Sequence, residues 1–142
     1  MYSKLYGLHT TILRYFNVYG DRQHTTGQYA PVLGIFMKQS KEGLPLTVTG
    51  EGEQRRDFVH VSDVVDANIL VAEKNTTPSR VYNVGSGVSY SIKEIANMIS
   101  ENITYINERS GEVFATQAMI HQIGELGWEP QVYLQDWIKD LS

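Results

Sequence analysis

The chain has no cysteine, which removes disulfides, thiolate metal sites and a cysteine nucleophile, and fits a reducing cytoplasm. Positive charge is also scarce. Twelve basic residues against 16 acidic ones leave a net charge of −4, the wrong balance for a protein that coats nucleic acid. No apolar run approaches the roughly 18 residues that a membrane helix needs. The opening residues MYSKLYGL are too short and too polar for the apolar core of a secretory signal. Proline is sparse, 4 in 142 residues, and there is no internal repeat or low-complexity tract. What remains is globular: 42% hydrophobic, 20% charged, and long enough for one domain that buries roughly two-thirds of its unfolded surface. Any anion bound by such a chain must be held by a few placed arginines.

Strand-like and helix-like patterns alternate along the sequence, which predicts an α/β fold. Residues 2–6 read as the last turn of a helix closed by Gly7. Residues 10–18 (TTILRYFNV) form one apolar, β-branched run, predicting a single strand covered on both faces as in a parallel sheet. Parallel strands need neighbours, and 142 residues supply few, so part of a larger sheet is expected to be missing. Pro31 opens a helix with Val32, Ile35, Phe36 and Gln39 on one face, and Gly43 and Pro45 stop it. Residues 46–49 form a short strand, residues 50–53 a hairpin turn, and residues 56–61 (RDFVHV) another strand. Ser62 is the expected N-cap of a helix that runs to about Lys74, with Asp63 and Asp66 favouring its dipole. A loop at residues 75–78 follows, then a strand at residues 81–84. Ser91 and Glu94 make a capping box ahead of Ile92, Ile95, Ala96 and Ile99. A short strand at residues 104–106 and a weaker helix at residues 116–125 come next. The last helix carries Leu134, Trp137, Ile138 and Leu141 on one stripe.

Few residues carry an obvious chemistry. Gly85-Ser86-Gly87 sits between a strand and a helix, the setting of a dinucleotide loop. Tyr90 stands where the third glycine belongs, however, so a turn requiring positive φ is the better reading. His60, Asp63 and Asp66 are spaced like a hard-metal site, but carboxylates in a first helical turn ordinarily serve the dipole, and no metal is expected. No serine stands in a Gly-x-Ser-x-Gly elbow. Arg56 and Arg109 are more informative, because two guanidinium groups converging on one pocket bind a diphosphate bidentately, and Glu112 could accept from a ribose. The competing reading pairs Arg56 with Asp57, Asp63 or Glu53 on the surface. Tyr15, Phe16 and Asn17 close the predicted strand, where α/β sheets place ligands. Packing and loop capping are the plainer roles for them.

Residues 13–23 (LRYFNVYGDRQ) resemble the LRYFNVYGPRQ signature of NAD-dependent nucleotide-sugar epimerases and dehydratases, the extended branch of the short-chain dehydrogenase/reductase superfamily. The likeness continues in family order through residues 28–32 (QYAPV), 50–64 (GEGEQRRDFVHVSDV), 82–87 (YNVGSG), 109–112 (RSGE) and 126–130 (LGWEP). UDP-glucose and UDP-N-acetylglucosamine 4-epimerases are the members that it most resembles. The resemblance implies that Asn17, Arg56 and Arg109 hold a diphosphate or sugar, that Glu112 lies near the ribose, and that Val32, Thr47, Val48 and Thr49 cradle the base. It implies that Tyr15 lines the nicotinamide site. In the complete enzymes NAD takes a hydride from C4, the 4-keto sugar rotates, and the hydride returns to the other face.

This sequence lacks the family's opening Gly-x-x-Gly-x-x-Gly loop and its catalytic Tyr-x-x-x-Lys pair; Tyr2 is followed at i+4 by Tyr6. Asp21 and Ser110 stand where proline is common, and Ala118-Met119 where an aspartate is usual. The expectation is therefore the C-terminal part of an extended Rossmann-type epimerase fold, one portion spanning residues 1–142. Residues 9–18 and 81–87 would be remnant Rossmann strands, joined to a small α/β substrate lobe. Such a portion would bind a UDP-sugar, hold no NAD tightly by itself, and reside in the cytoplasm, touching neither nucleic acid nor membrane. It would be inactive alone, and its open sheet edge would pair with a second copy or with a separate chain supplying the other half. The alternatives are a stand-alone binding or structural module and a truncated fragment without activity.

Overall fold

The computed structural model describes residues 1–27, 30–74, 80–108, 111 and 113–141, and in it strands and helices alternate as the sequence predicts. Helix α1 (Tyr2–Tyr6) ends at Gly7, whose φ of 66° is the left-handed conformation that a residue without Cβ adopts freely. The run at residues 10–18 is not one strand. It divides into β1 (Thr11–Tyr15) and β2 (Asn17–Tyr19), which belong to different sheets. β1 lies parallel to β5 (Arg80–Val84), with Thr11 opposite Arg80 and Tyr15 opposite Val84. β2 lies parallel to β4 (Arg55–His60), whose other edge pairs antiparallel with β6 (Ser89–Ser91). Phe16 is the switch point: its N–H still donates to the Val84 carbonyl at 2.9 Å, and Asn17 already stands opposite Phe58.

A third sheet pairs β3 (Leu46–Thr49) in parallel with β7 (Ile103–Ile106). The glycine-rich turn after β3 is therefore no hairpin, since the strands it joins lie in separate sheets. Gly50 and Gly52 supply the positive φ angles that the turn needs, 59° and 75°, but such glycines do not dictate which strands pair.

The longer helices are α2 (Val32–Lys41), α3 (Val61–Glu73) and α4 (Ile92–Ile99). α4 opens with the predicted capping box: Ser91 Oγ accepts from the Glu94 N–H at 3.0 Å, and the Glu94 carboxylate accepts from the Ser91 N–H at 2.6 Å. α3 starts earlier than expected. His60 ends β4 and caps the helix directly, its Nδ1 accepting from the Ser62 N–H at 3.3 Å, so Ser62 is not the N-cap. The expected helix at residues 116–125 shrinks to α5 (His121–Gly124), because the amides before it are used elsewhere. Thr116 N–H donates to the Arg55 carbonyl and Ala118 N–H to the Asp57 carboxylate. α6 (Leu134–Asp140) buries Leu134, Trp137 and Ile138, leaving Leu141 half-exposed.

Two apolar clusters hold these layers together. One joins α2, β3, α4 and α6 through Leu33, Phe36, Val48, Ile95, Leu134 and Trp137. The other joins β4, α3 and β5 through Val59, Val64, Ala67, Tyr82 and Val84, with Ile123 and Trp128 closing it. β1 is only partly covered on either face. Ile12 is 53% and Tyr15 45% exposed, contrary to the expectation of cover on both faces, and α3 presents Val61, Val65 and Ile69 to solvent at four-residue spacing. No helix among the described residues is long and apolar enough to cross a membrane.

Candidate functional site

Strand alternation sends Arg55 and Arg56 in opposite directions. Arg55 reaches across to β6 and α4, donating to the Ser89 carbonyl at 2.6 Å and pairing with Glu94 at 3.2 Å. Arg56 lines a cleft and donates to the carbonyls of Arg55 and Phe114, at 2.9 and 3.4 Å. The carboxylates weighed as its surface partners are engaged elsewhere. Asp57 and Asp63 are buried, with Asp63 accepting from the Val132 N–H at 3.1 Å, and Glu53 pairs with Lys93 at 3.9 Å.

Asn17 faces the same cleft from the start of β2, not from the end of a strand as the continuous run suggested. Its Nδ2 donates to the Asp57 carbonyl at 2.6 Å, which fixes the amide and turns its oxygen toward other donors. The cleft, about 230 Å³, is walled by Asn17, Val32, Thr47, Thr49, Gln54 and Arg56, drawn from α2, β2, β3, β4 and the turn before β4. That volume is below the roughly 300–1,000 Å³ of a whole small-molecule site, so the cleft has room for part of such a ligand and not for all of it. Val48 does not join them: it alternates inward and is fully buried in the core. Gln54 is a wall that the sequence reading missed, although it stands two residues before Arg56 and so on the same side of the chain. Arg109 and Glu112 lie outside the described residues.

Tyr15 is separated from this group. It lies in a larger groove of about 790 Å³ between β1 and α3, and its hydroxyl donates to Asn68 Oδ1 at 3.0 Å. Two residues apart on one strand, Tyr15 and Asn17 would share a face; the change of sheet at Phe16 parts them. The groove is the bigger space, but it runs along the open edge of a sheet, whereas the smaller cleft gathers an arginine, two amides and two hydroxyls. The cleft is the better candidate for binding an anionic ligand.

Beneath the cleft sits a buried carboxylate. Asp57 is fully buried and accepts four hydrogen bonds: from the Ser86 N–H (2.7 Å) and hydroxyl (2.9 Å), the Gly87 N–H (3.0 Å) and the Ala118 N–H (2.9 Å). The amides of the Gly85-Ser86-Gly87 turn thus face a carboxylate of the chain itself, and a phosphate cannot use them. A side chain at Gly85 would collide with Ala118 and crowd both Asp57 oxygens, so close approach is what requires glycine there. Among the described residues, this turn does not fit a dinucleotide. His60 is occupied as a helix cap and stacks edge-on with Tyr19, and no cluster of three metal-ligating side chains occurs among the described residues. Burial, reinforced by Asp63, holds the Tyr19 phenol far above its ordinary pKa, so it remains a neutral donor to the Val132 carbonyl at 3.0 Å.

Residues 1–85 match the model of the NAD-dependent epimerase/dehydratase family. The chain belongs to that family. A putative UDP-glucose 4-epimerase of Methanocaldococcus jannaschii is 36% identical over 146 residues, covering 98% of this chain and 46% of the relative. Among solved structures, the UDP-N-acetylglucosamine 4-epimerase of Methanobrevibacter ruminantium in complex with UDP-N-acetylmuramic acid superposes with a TM-score of 0.90 at 32% identity, over 98% of this chain and 46% of that one. The Thermus thermophilus UDP-glucose 4-epimerase in complex with NAD superposes at 0.85, with 30% identity over 97% of this chain and 47% of that one. This epimerase-family chain therefore spans about half the length of the relatives it matches.

Proposed function

We propose that these 142 residues are the nucleotide-sugar-binding, C-terminal portion of an NAD-dependent UDP-sugar 4-epimerase, and that they do not epimerise sugars by themselves. The observation that carries this reading is the single cleft to which Asn17, Val32, Thr47, Thr49 and Arg56 all contribute, in a chain of the epimerase family. A guanidinium offers a planar, permanently charged fork to phosphate oxygens, and a nearby amide offers both donor and acceptor to sugar hydroxyls. In this reading Arg56 and Arg109 hold the diphosphate, Glu112 accepts from the ribose, and the walls at Val32, Thr47 and Thr49 receive the base. Tyr15 would meet the nicotinamide when a complete NAD site is present.

Neither a phosphate-binding glycine loop nor a Tyr-x-x-x-Lys pair occurs in this sequence, so NAD is not expected to bind tightly and hydride transfer is not expected. The test is an epimerase assay on the purified chain with UDP-glucose and added NAD, alongside calorimetry with UDP. UDP binding without UDP-galactose formation is the expected result; turnover, or no UDP binding, would contradict the reading.

The open edge of β1 and the exposed apolar residues on α1 and α3 favour one addition: the chain works with a partner. A two-stranded parallel sheet is marginal alone, so a second copy, or a separate chain supplying the other half of the fold, would complete it.

A further inference from the structure

The side chain of Gln39 reaches from α2 to the second residue of β3 and makes two hydrogen bonds there. Its Oε1 accepts from the Thr47 N–H at 3.1 Å, and its Nε2 donates to the Thr47 hydroxyl at 2.9 Å. Chemistry fixes which end of the amide is which. A backbone N–H can only donate, so the carbonyl oxygen faces it and the NH₂ group faces the hydroxyl. The Thr47 oxygen therefore uses a lone pair on Gln39, and its one O–H proton must point elsewhere. Among the described residues the hydroxyl makes no second hydrogen bond. Strand alternation puts Leu46 and Val48 in the core and turns Thr47 and Thr49 to the cleft, so the cleft is where that proton can find an acceptor.

We propose that Gln39 fixes the Thr47 hydroxyl as a hydrogen-bond donor toward the cleft, and so selects a pyrimidine carrying an oxo group at that place over one carrying an amino group; this rests on the nucleotide reading above. Uracil offers an oxo oxygen where cytosine carries an amino group. Against a donor hydroxyl, the amino group sets donor against donor and leaves both without a partner. Gln39 touches no ligand in this scheme and acts as a positioning residue through Thr47.

The test is calorimetric titration of the chain with UDP and with CDP, read as the ratio of the two affinities, which a general loss of stability does not move. The unaltered chain should prefer UDP by about tenfold, the scale of one mispaired hydrogen bond. Thr47→Val should bring the ratio near one, and Thr47→Ser should keep it. Gln39→Glu should invert the preference, because a carboxylate accepts from both the N–H and the O–H and leaves only a lone pair facing the cleft. Equal binding of UDP and CDP by the unaltered chain, or a ratio unmoved by Thr47→Val and Gln39→Glu, would overturn the proposal and leave the nucleotide reading standing. Absence of UDP binding by the unaltered chain would overturn both.

Discussion

Replacing Asp57 with alanine should destabilise the chain severely, because one carboxylate satisfies three backbone amides and a hydroxyl. Three of these donors come from the turn after β5 and the fourth is the Ala118 amide; with the acceptor gone, no substitute acceptor is built into the site. Each buried donor left unpaired costs about 1–3 kcal/mol. Relaxation and entering water recover part of that, and breaking a buried charged network typically costs about 3–5 kcal/mol in total. For a chain of this size that corresponds to a fall in melting temperature on the order of 10 °C. Asp57→Asn should do less harm, since one oxygen remains to accept while the new NH₂ group confronts the amides. The Asn17 amide bonds the Asp57 backbone carbonyl, which alanine retains, so a variant that remains folded should keep Asn17 in place and still bind UDP. Urea denaturation followed by circular dichroism gives the free energies. A loss below about 1 kcal/mol for Asp57→Ala would refute the assignment of Asp57 as the anchor of this turn.

Ser91→Ala removes one half of the capping box and should cost about 1 kcal/mol in the same denaturation experiment; no measurable loss would mean that water replaces the cap. The Ser91 N–H, chiefly, and Arg55 hold the Glu94 carboxyl below its ordinary pKa despite some desolvation. A depressed carboxylate stabilises the fold above its unfolded-state pKa and loses that contribution as pH falls through the folded value, so stability should drop on acidification below the usual glutamate range. Glu94→Gln should flatten that part of the curve. Ile69→Asp places a charge in the exposed stripe of α3 and should reduce self-association in sedimentation velocity runs without changing the melting temperature by more than a few degrees. An unchanged sedimentation profile would exclude α3 as a contact surface.

Local signals were legible where one residue's chemistry decides the outcome. The Ser91–Glu94 capping box, the left-handed Gly7 and the helix following β4 all follow from nearest neighbours in sequence. Pairing partners were less so. Nothing in TTILRYFNV announces that the chain changes sheets at Phe16, because both strands are apolar and the switch uses no turn residue. Gly50 and Gly52 marked a turn, but the partners of β3 and β4 are chosen by packing far along the chain. The sequence offers Asp57 as one of three possible surface partners for Arg56, beside Asp63 and Glu53, and does not reveal that four donors converge on its carboxylate. The cleft was legible chiefly through family resemblance. Composition and spacing alone left Arg56, Asn17 and Tyr15 with plainer roles, and only the fold shows Tyr15 parted from the other two.

The central claim is that the cleft beside Arg56 receives an anionic nucleotide, and amide chemical-shift mapping during a UDP titration tests it most directly. The account predicts saturable shifts concentrated at Asn17, Val32, Thr47, Thr49 and Arg56, abolished by Arg56→Ala. Shifts centred instead on the groove between β1 and α3, or a titration indifferent to Arg56→Ala, would contradict it.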